Sequence, residues 1–189
     1  MAKRISEIAT STTIKGWHLN DSEHDDFVVG LEQSSRHAGK NCAFIESIAK
    51  NASDEDARNA CGHLMQTCGI PPEFRNQRIR MTAWVKSALA ELSIGRIELD
   101  IIGNWGWYCR WKGTFDNMND RPILADTDWQ QYALVVDVPE ESTSMNFGLF
   151  LIGVGKMWLD EVKFEVVNKT VPLTGLLPAP TNLNFEDQL

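Results

Sequence analysis

The chain has 189 residues, 43% of them hydrophobic and 23% charged, and its 18 basic against 26 acidic side chains leave a formal charge of −8. That length favours one domain whose core needs no disulfide or metal staple, and the acidic balance disfavours any partner held mainly by phosphate neutralisation, so no nucleic-acid role is expected. The longest apolar stretch, Phe147 to Val154 with Gly148 and Gly153 inside it, falls far short of the roughly 20 residues of a membrane span, and no membrane span is expected.

The leading residues, MAKRISEIATSTTIKGW, lack the apolar stretch of a secretory signal, so the expected location is cytoplasmic. Cys42, Cys61, Cys68 and Cys109 form no CxxC pair and are expected as reduced thiols. Asn51 to Ala60 has a capping Ser53, acids in the first turn and no β-branched residue, which predicts a short polar surface helix. The next segments alternate with period two. Ile79, Met81, Ala83 and Val85 oppose Arg78, Arg80, Thr82, Trp84 and Lys86; Ile97, Leu99 and Ile101 oppose Glu98 and Asp100. Tyr132, Leu134, Val136 and Val138 oppose Ala133 and Asp137, and Met145, Phe147, Leu149 and Leu151 continue the pattern. Trp158, Val162, Phe164 and Val166 are placed on one face, with Glu161, Lys163 and Glu165 on the other. Short strands separated by Gly, Asn, Asp and Pro predict an all-β antiparallel sandwich or barrel. Pro172, Pro178 and Pro180 with Gly175 mark an extended C-terminal arm. The predicted division is 1–170 for the sandwich and 171–189 for the arm.

Several motifs occur in a telling order: Gly16-Trp17, His37-Ala38-Gly39-Lys40, Gln66, RMTAWVKS from Arg80, Trp129 to Tyr132, Val138-Pro139 and KMWLDEVKFEVV from Lys156. The order resembles the jelly-roll, galactose-binding-like carbohydrate-binding modules found beside glycanases. It is also similar to uncharacterised bacterial proteins that share FDNMNDRP and WLDEVKFEVV. The resemblance implies an antiparallel β-sandwich jelly roll. At fold level alone it extends to the calcium-containing cyclases of cyanobacterial indole-terpenoid pathways. Those modules usually start with Asn-x-x-Phe-Glu before their Gly-Trp, whereas here that signature stands at Asn182 to Glu186. The terminal segment is therefore expected either to dock as an edge strand, on its own chain or in a homo-oligomer on a neighbour, or to remain a loose tail.

Asp160 is the one charge on the apolar face assigned around Trp158, and an unpaired buried carboxylate costs several kcal/mol. It must be paired, coordinated or near an edge. In the resembled modules the matching Asp ligates a structural Ca2+ together with the Glu of Asn-x-x-Phe-Glu, which implies Asp160 and Glu186 as metal ligands. Trp105, Trp107 and Trp111 share one strand face, with Tyr108 on the other; such rings either fill a core or stack on a sugar or polyene. Trp84, and Asp116, Asn117 and Arg121 of the FDNMNDRP loop, are further candidates for ligand binding. Glu98 and Asp100 either are solvated surface acids, fix ligand hydroxyls or, if desolvated, act as a general acid. No Gly-rich phosphate loop is present, and no organic cofactor is expected.

The leading expectation is non-catalytic binding of a carbohydrate-like or amphipathic small ligand on a Trp-rich face. One alternative is a cyclase or isomerase that protonates its substrate with Asp100 or Glu98. The other is a structural or oligomerising domain.

Overall fold

The computed structural model describes residues 13–21, 26–49, 55–103 and 114–175. Among the described residues there are ten strands: β1 (His18–Asp21), β2 (Phe27–Glu32), β3 (Cys42–Ser47), β4 (Cys61–Gly69), β5 (Arg78–Leu89), β6 (Ile94–Gly103), β7 (Phe115–Asp116), β8 (Thr127–Asp137), β9 (Ser142–Ile152) and β10 (Gly155–Val167). They form two five-stranded sheets in the orders β1-β4-β9-β6-β7 and β2-β3-β10-β5-β8. Every strand pairing is antiparallel. The only regular α-helix among the described residues is α1 (Glu55–Asn59), whose Ala57 is buried. The expected cap Ser53 lies outside the described residues.

The inner faces make the core. Ile97, Leu99 and Ile101 of β6 and Met145, Leu149 and Leu151 of β9 meet Ile79, Met81, Ala83 and Val85 of β5 and Leu134 and Val136 of β8, all nearly inaccessible to solvent. Period two follows directly: alternate side chains point to opposite faces of a pleated strand, and only one face of each sheet is covered. The faces read from the sequence for β5, β6, β8 and β9 are those observed.

One face assignment fails, on β10. Its register against β5 shifts between Asp160 and Lys163, and Glu161 adopts φ 49°. An inserted residue reverses the inside–outside phase downstream. Met157 and Leu159 face the core before the bulge and Val162 and Phe164 pack on it afterwards. Trp158 and Asp160 therefore point outward, in one row with Lys163 and Glu165. Trp158 is covered there, donating its indole N–H to Glu32 at 3.0 Å.

The first residues of the arm lie on the sandwich. Arg78 donates to the carbonyls of Lys169 at 2.8 Å and Val171 at 2.6 Å. Thr174 donates its backbone N–H to the Val135 carbonyl at 3.0 Å and accepts the Val135 N–H on its hydroxyl at 2.6 Å. Thr174 thus sits on the free edge of β8. The predicted NLNFE edge strand lies outside the described residues.

Candidate functional site

The outer face of the β1-β4-β9-β6-β7 sheet gathers polar side chains that are distant in sequence. Register sets Asp100 opposite Asn146 of β9 and Phe115 of β7, and Asn146 opposite Thr67 of β4. The next row joins Glu98, Gly148, Met65 and His18. A third joins Arg96, Phe150, His63 and Asn20.

Glu98 is only 7% exposed, and its Oε1 lies 2.8 Å from His63 Nδ1. The contact crosses β9 beside Gly148, where no side chain intervenes. The imidazole is fixed from its other side by stacking on Phe150, with centroids 4.0 Å apart and planes at 29°. The Arg96 guanidinium carbon lies 5.8 Å from the same phenyl ring, a cation–π arrangement.

Asp100 stands two residues from this pair without a cation in contact among the described residues. Burial, reinforced by the neighbouring Glu98 charge and partly offset by His63, pushes its carboxyl up to about 6. Desolvation and a like charge both penalise the ionised form. Two further polar atoms of this face, Arg96 Nε and Asn146 Oδ1, are buried without a hydrogen-bond partner. Phe115, 56% exposed, presents an open ring beside Asp100. The face thus offers carboxylate and amide acceptors, imidazole and guanidinium donors and a bare aromatic ring. Such a set can hydrogen-bond clustered hydroxyls and stack on a C–H face.

The other expected site residues are distributed differently. Trp84 lies on the outer face of the opposite sheet, under His37, whose ring stacks on it at 3.9 Å and 16°. His37 belongs to the β2–β3 connection, which Asp160 anchors: one carboxylate oxygen accepts the N–H groups of His37 at 3.0 Å and Ala38 at 2.9 Å, and the other that of Glu161 at 2.8 Å. Glu161 itself contacts His37 Nδ1 at 3.0 Å and accepts from Lys163 at 3.0 Å. Of the two calcium ligands that the resemblance implies, Asp160 accepts backbone N–H groups on both of its oxygens. Glu186, the second implied ligand, lies outside the described residues.

Asp116 is buried in a structural pair. It accepts from Arg121 Nη2 at 2.5 Å and from the Met118 N–H at 2.9 Å, while Arg121 also reaches Asp120 at 2.6 Å. Gly175 closes over it: a Cβ there would come within 2.8 Å of Asp116 Oδ1, at a φ of +72°. Asn117 is half-buried beside this pair. Trp105, Trp107, Tyr108 and Trp111 lie outside the described residues; their segment leaves β6 at Gly103 and returns at Thr114, whose carbonyl accepts the Ile101 N–H at 2.8 Å.

Arg96, Asn146, Phe150 and Phe115 were not singled out from the sequence. Arg96 carried a readable signal, two residues before Glu98 on the same strand face. Asn146 and Phe150 carried one as well, on the polar side of the alternation around Phe147. What brings them to His63 is the pairing of β4 with β9, which no local pattern encodes.

No protein-family model matches the sequence. Solved structures establish the fold as the β-sandwich jelly roll of carbohydrate-binding modules. The C-terminal family 22 module of Clostridium thermocellum Xyn10B superposes with a TM-score of 0.52 at 11% identity, over 85% of this chain and 91% of that one. The CBM22-1 xylan-binding domain of Paenibacillus barcinonensis Xyn10C gives 0.52 at 12%, over 85% and 90%. The enzymatically active domain of bacteriophage CBA120 tailspike protein 4 gives 0.57 at 15%, over 82% of this chain and 20% of that one.

Among curated proteins, the uncharacterised HTH-type transcriptional regulator YbfP of Bacillus subtilis (strain 168) is 31% identical over 188 residues, 93% of this chain and 58% of the relative. The chain thus spans little more than half of that regulator. The described residues hold one helix of five residues and so contain no helix-turn-helix.

Proposed function

We propose that this protein is a non-catalytic carbohydrate-binding module whose site is the β4-β9-β6-β7 face carrying His63, Glu98, Asp100, Asn146 and Phe115. The observation that carries this reading is the row of Asp100, Asn146 and Phe115 beside the Glu98–His63 contact. A carboxylate held in a partly desolvated place without a counter-ion in contact is costly to folding, and hydroxyl donors from a sugar repay that cost on binding. The jelly-roll fold shared with xylan-binding modules supports the same ligand class, although a fold alone hosts many functions. The Trp-rich segment 104–113, anchored at both ends next to Asp100, is proposed to add stacking surface.

The likeness to part of a transcriptional regulator supports a sensing role, in which ligand occupancy is reported to an attached domain. The test is isothermal titration with soluble xylo-, gluco- and galacto-oligosaccharides. Saturable binding by at least one series is expected, weakened tenfold or more by Asp100→Ala or Asn146→Ala with folding retained. Absence of binding by all three series, or equal binding by these variants, overturns the proposal.

One observation favours a second reading. A carboxyl pushed up to about 6 lies in the range of a general acid, which suits an isomerase or cyclase. A bound saccharide recovered chemically unchanged after prolonged incubation at pH 6 excludes turnover of that ligand. Conversion abolished by Asp100→Asn replaces the binding reading with catalysis.

A further inference from the structure

We infer that the cleft between the two sheets at the β4–β10 seam binds a small, uncharged, apolar molecule of aromatic character. The cleft measures about 290 Å3 and is lined mainly by Trp17, Phe74, Phe147 and Phe164, with Gln66 and Cys68 on its β4 wall. Its origin is topological. β3 pairs with β10 only as far as Leu159, and beyond the bulge β10 turns Val162 and Phe164 inward. The two inner faces therefore open to solvent at this seam, where a sandwich normally closes on itself.

The walls are preset. Phe147 is held edge-on between Trp17, at 5.5 Å and 86°, and Phe164, at 4.9 Å and 73°. Gly16, at φ +81°, brings the turn before Trp17 so close to Gln66 that a Cβ on it would meet Nε2 at 2.8 Å. The Gly16-Trp17 and Gln66 motifs of the sequence thus build one end of the cleft.

Chemistry selects the occupant. No charged side chain lines the cleft, and burial raises the Cys68 thiol above its ordinary range, so it remains neutral. Four rings offer faces and edges to an aromatic guest, and Gln66 provides one amide for a single hydrogen-bonding group. The volume is about twice the ~150 Å3 of an engineered apolar cavity that takes up benzene and stands near the lower end of natural ligand pockets, roughly 300 Å3. This site is independent of the saccharide face, which lies on the outside of the same sheet.

The test is fluorescence titration of the full chain with the neutral dye N-phenyl-1-naphthylamine, joined to cysteine-resolved alkylation read by peptide mass spectrometry. One saturable site is expected, with affinity falling tenfold or more in Cys68→Phe, which fills the cleft. The dye should slow alkylation of Cys68 at least fivefold and leave Cys61, at the opposite end of β4, unchanged. If Cys68→Phe does not fold, the alkylation result on the unaltered chain decides. Absence of saturable binding, unchanged binding by folded Cys68→Phe, or no protection of Cys68 overturns the proposal. Tighter dye binding after removal of residues 1–12 or 176–189 also overturns it, because the cleft is then occupied by the chain itself.

Discussion

Replacing Asp100 by Asn removes a charge that the fold tolerates at a cost, and that cost can be worked out. The carboxyl moves from an ordinary 3.8 to about 6 on folding, a difference of roughly 2 units at 1.36 kcal/mol each, or about 3 kcal/mol. Partial exposure of Asp100 reduces this through solvent screening to about 2 kcal/mol. The folded acid holds its proton to higher pH than the unfolded one, so the native state binds more protons between about pH 4 and pH 6, and stability falls as pH rises through that window. Below it both states are protonated and no charge cost remains. Asp100→Asn is therefore expected to raise stability by about 2 kcal/mol at pH 8 and by nearly nothing at pH 3.5. Urea unfolding of both proteins at the two pH values measures this directly. Equal effects at both pH values, or destabilisation at pH 8, would refute the claim that Asp100 is an uncompensated charge. Joined to loss of saccharide binding, the stabilisation would show a functional acid retained against the interest of the fold.

Three other perturbations test separate parts of the structure. Asp160→Ala strips the acceptor from three backbone N–H groups; it should cost about 2–4 kcal/mol and accelerate amide exchange at His37 and Ala38, and unchanged exchange would contradict the anchoring role. Arg121→Ala leaves Asp116, whose side chain is 0% exposed, as an unpaired buried charge, so a loss of about 3–5 kcal/mol is expected in chemical denaturation, recovered in part by adding Asp116→Asn. Leu92 sits at φ 66° with 70% of its surface exposed, and Leu92→Asn should raise stability by about 1 kcal/mol because Asn tolerates the left-handed region; a lowered melting temperature would show that the leucine makes a stabilising contact.

The sandwich was legible because its strands are covered on one face only. Ile79, Met81, Ala83 and Val85 announce an inner face with no knowledge of their partners, and Glu98 with Asp100 announces an outer one. Where a strand departs from two-residue periodicity, that reading fails, as it does at the β10 bulge. Asp160 carried the warning, since a lone carboxylate on a supposed core face is more economically explained by a change of phase than by burial. The site was half legible. Its acids lie on one strand and could be read together, while His63 and Asn146 reach them through pairing with β9. Asp116 read as a candidate for ligand binding, although Arg121 five positions later supplies the partner that lets it go inside.

The seating of Thr174 on the edge of β8 bears on what that edge can pair with. An outermost strand presents unpaired N–H and C=O groups to any extended chain that meets it. Here both backbone groups of Val135 are taken by Thr174, and the Asp137 carbonyl is taken by the Thr114 hydroxyl. Two threonines, one entering from each side of the chain, act as stoppers on that strand. A protein shortened to end at Thr170 would uncover the Val135 groups, and its characteristic failure would be edge-to-edge association rather than loss of the core.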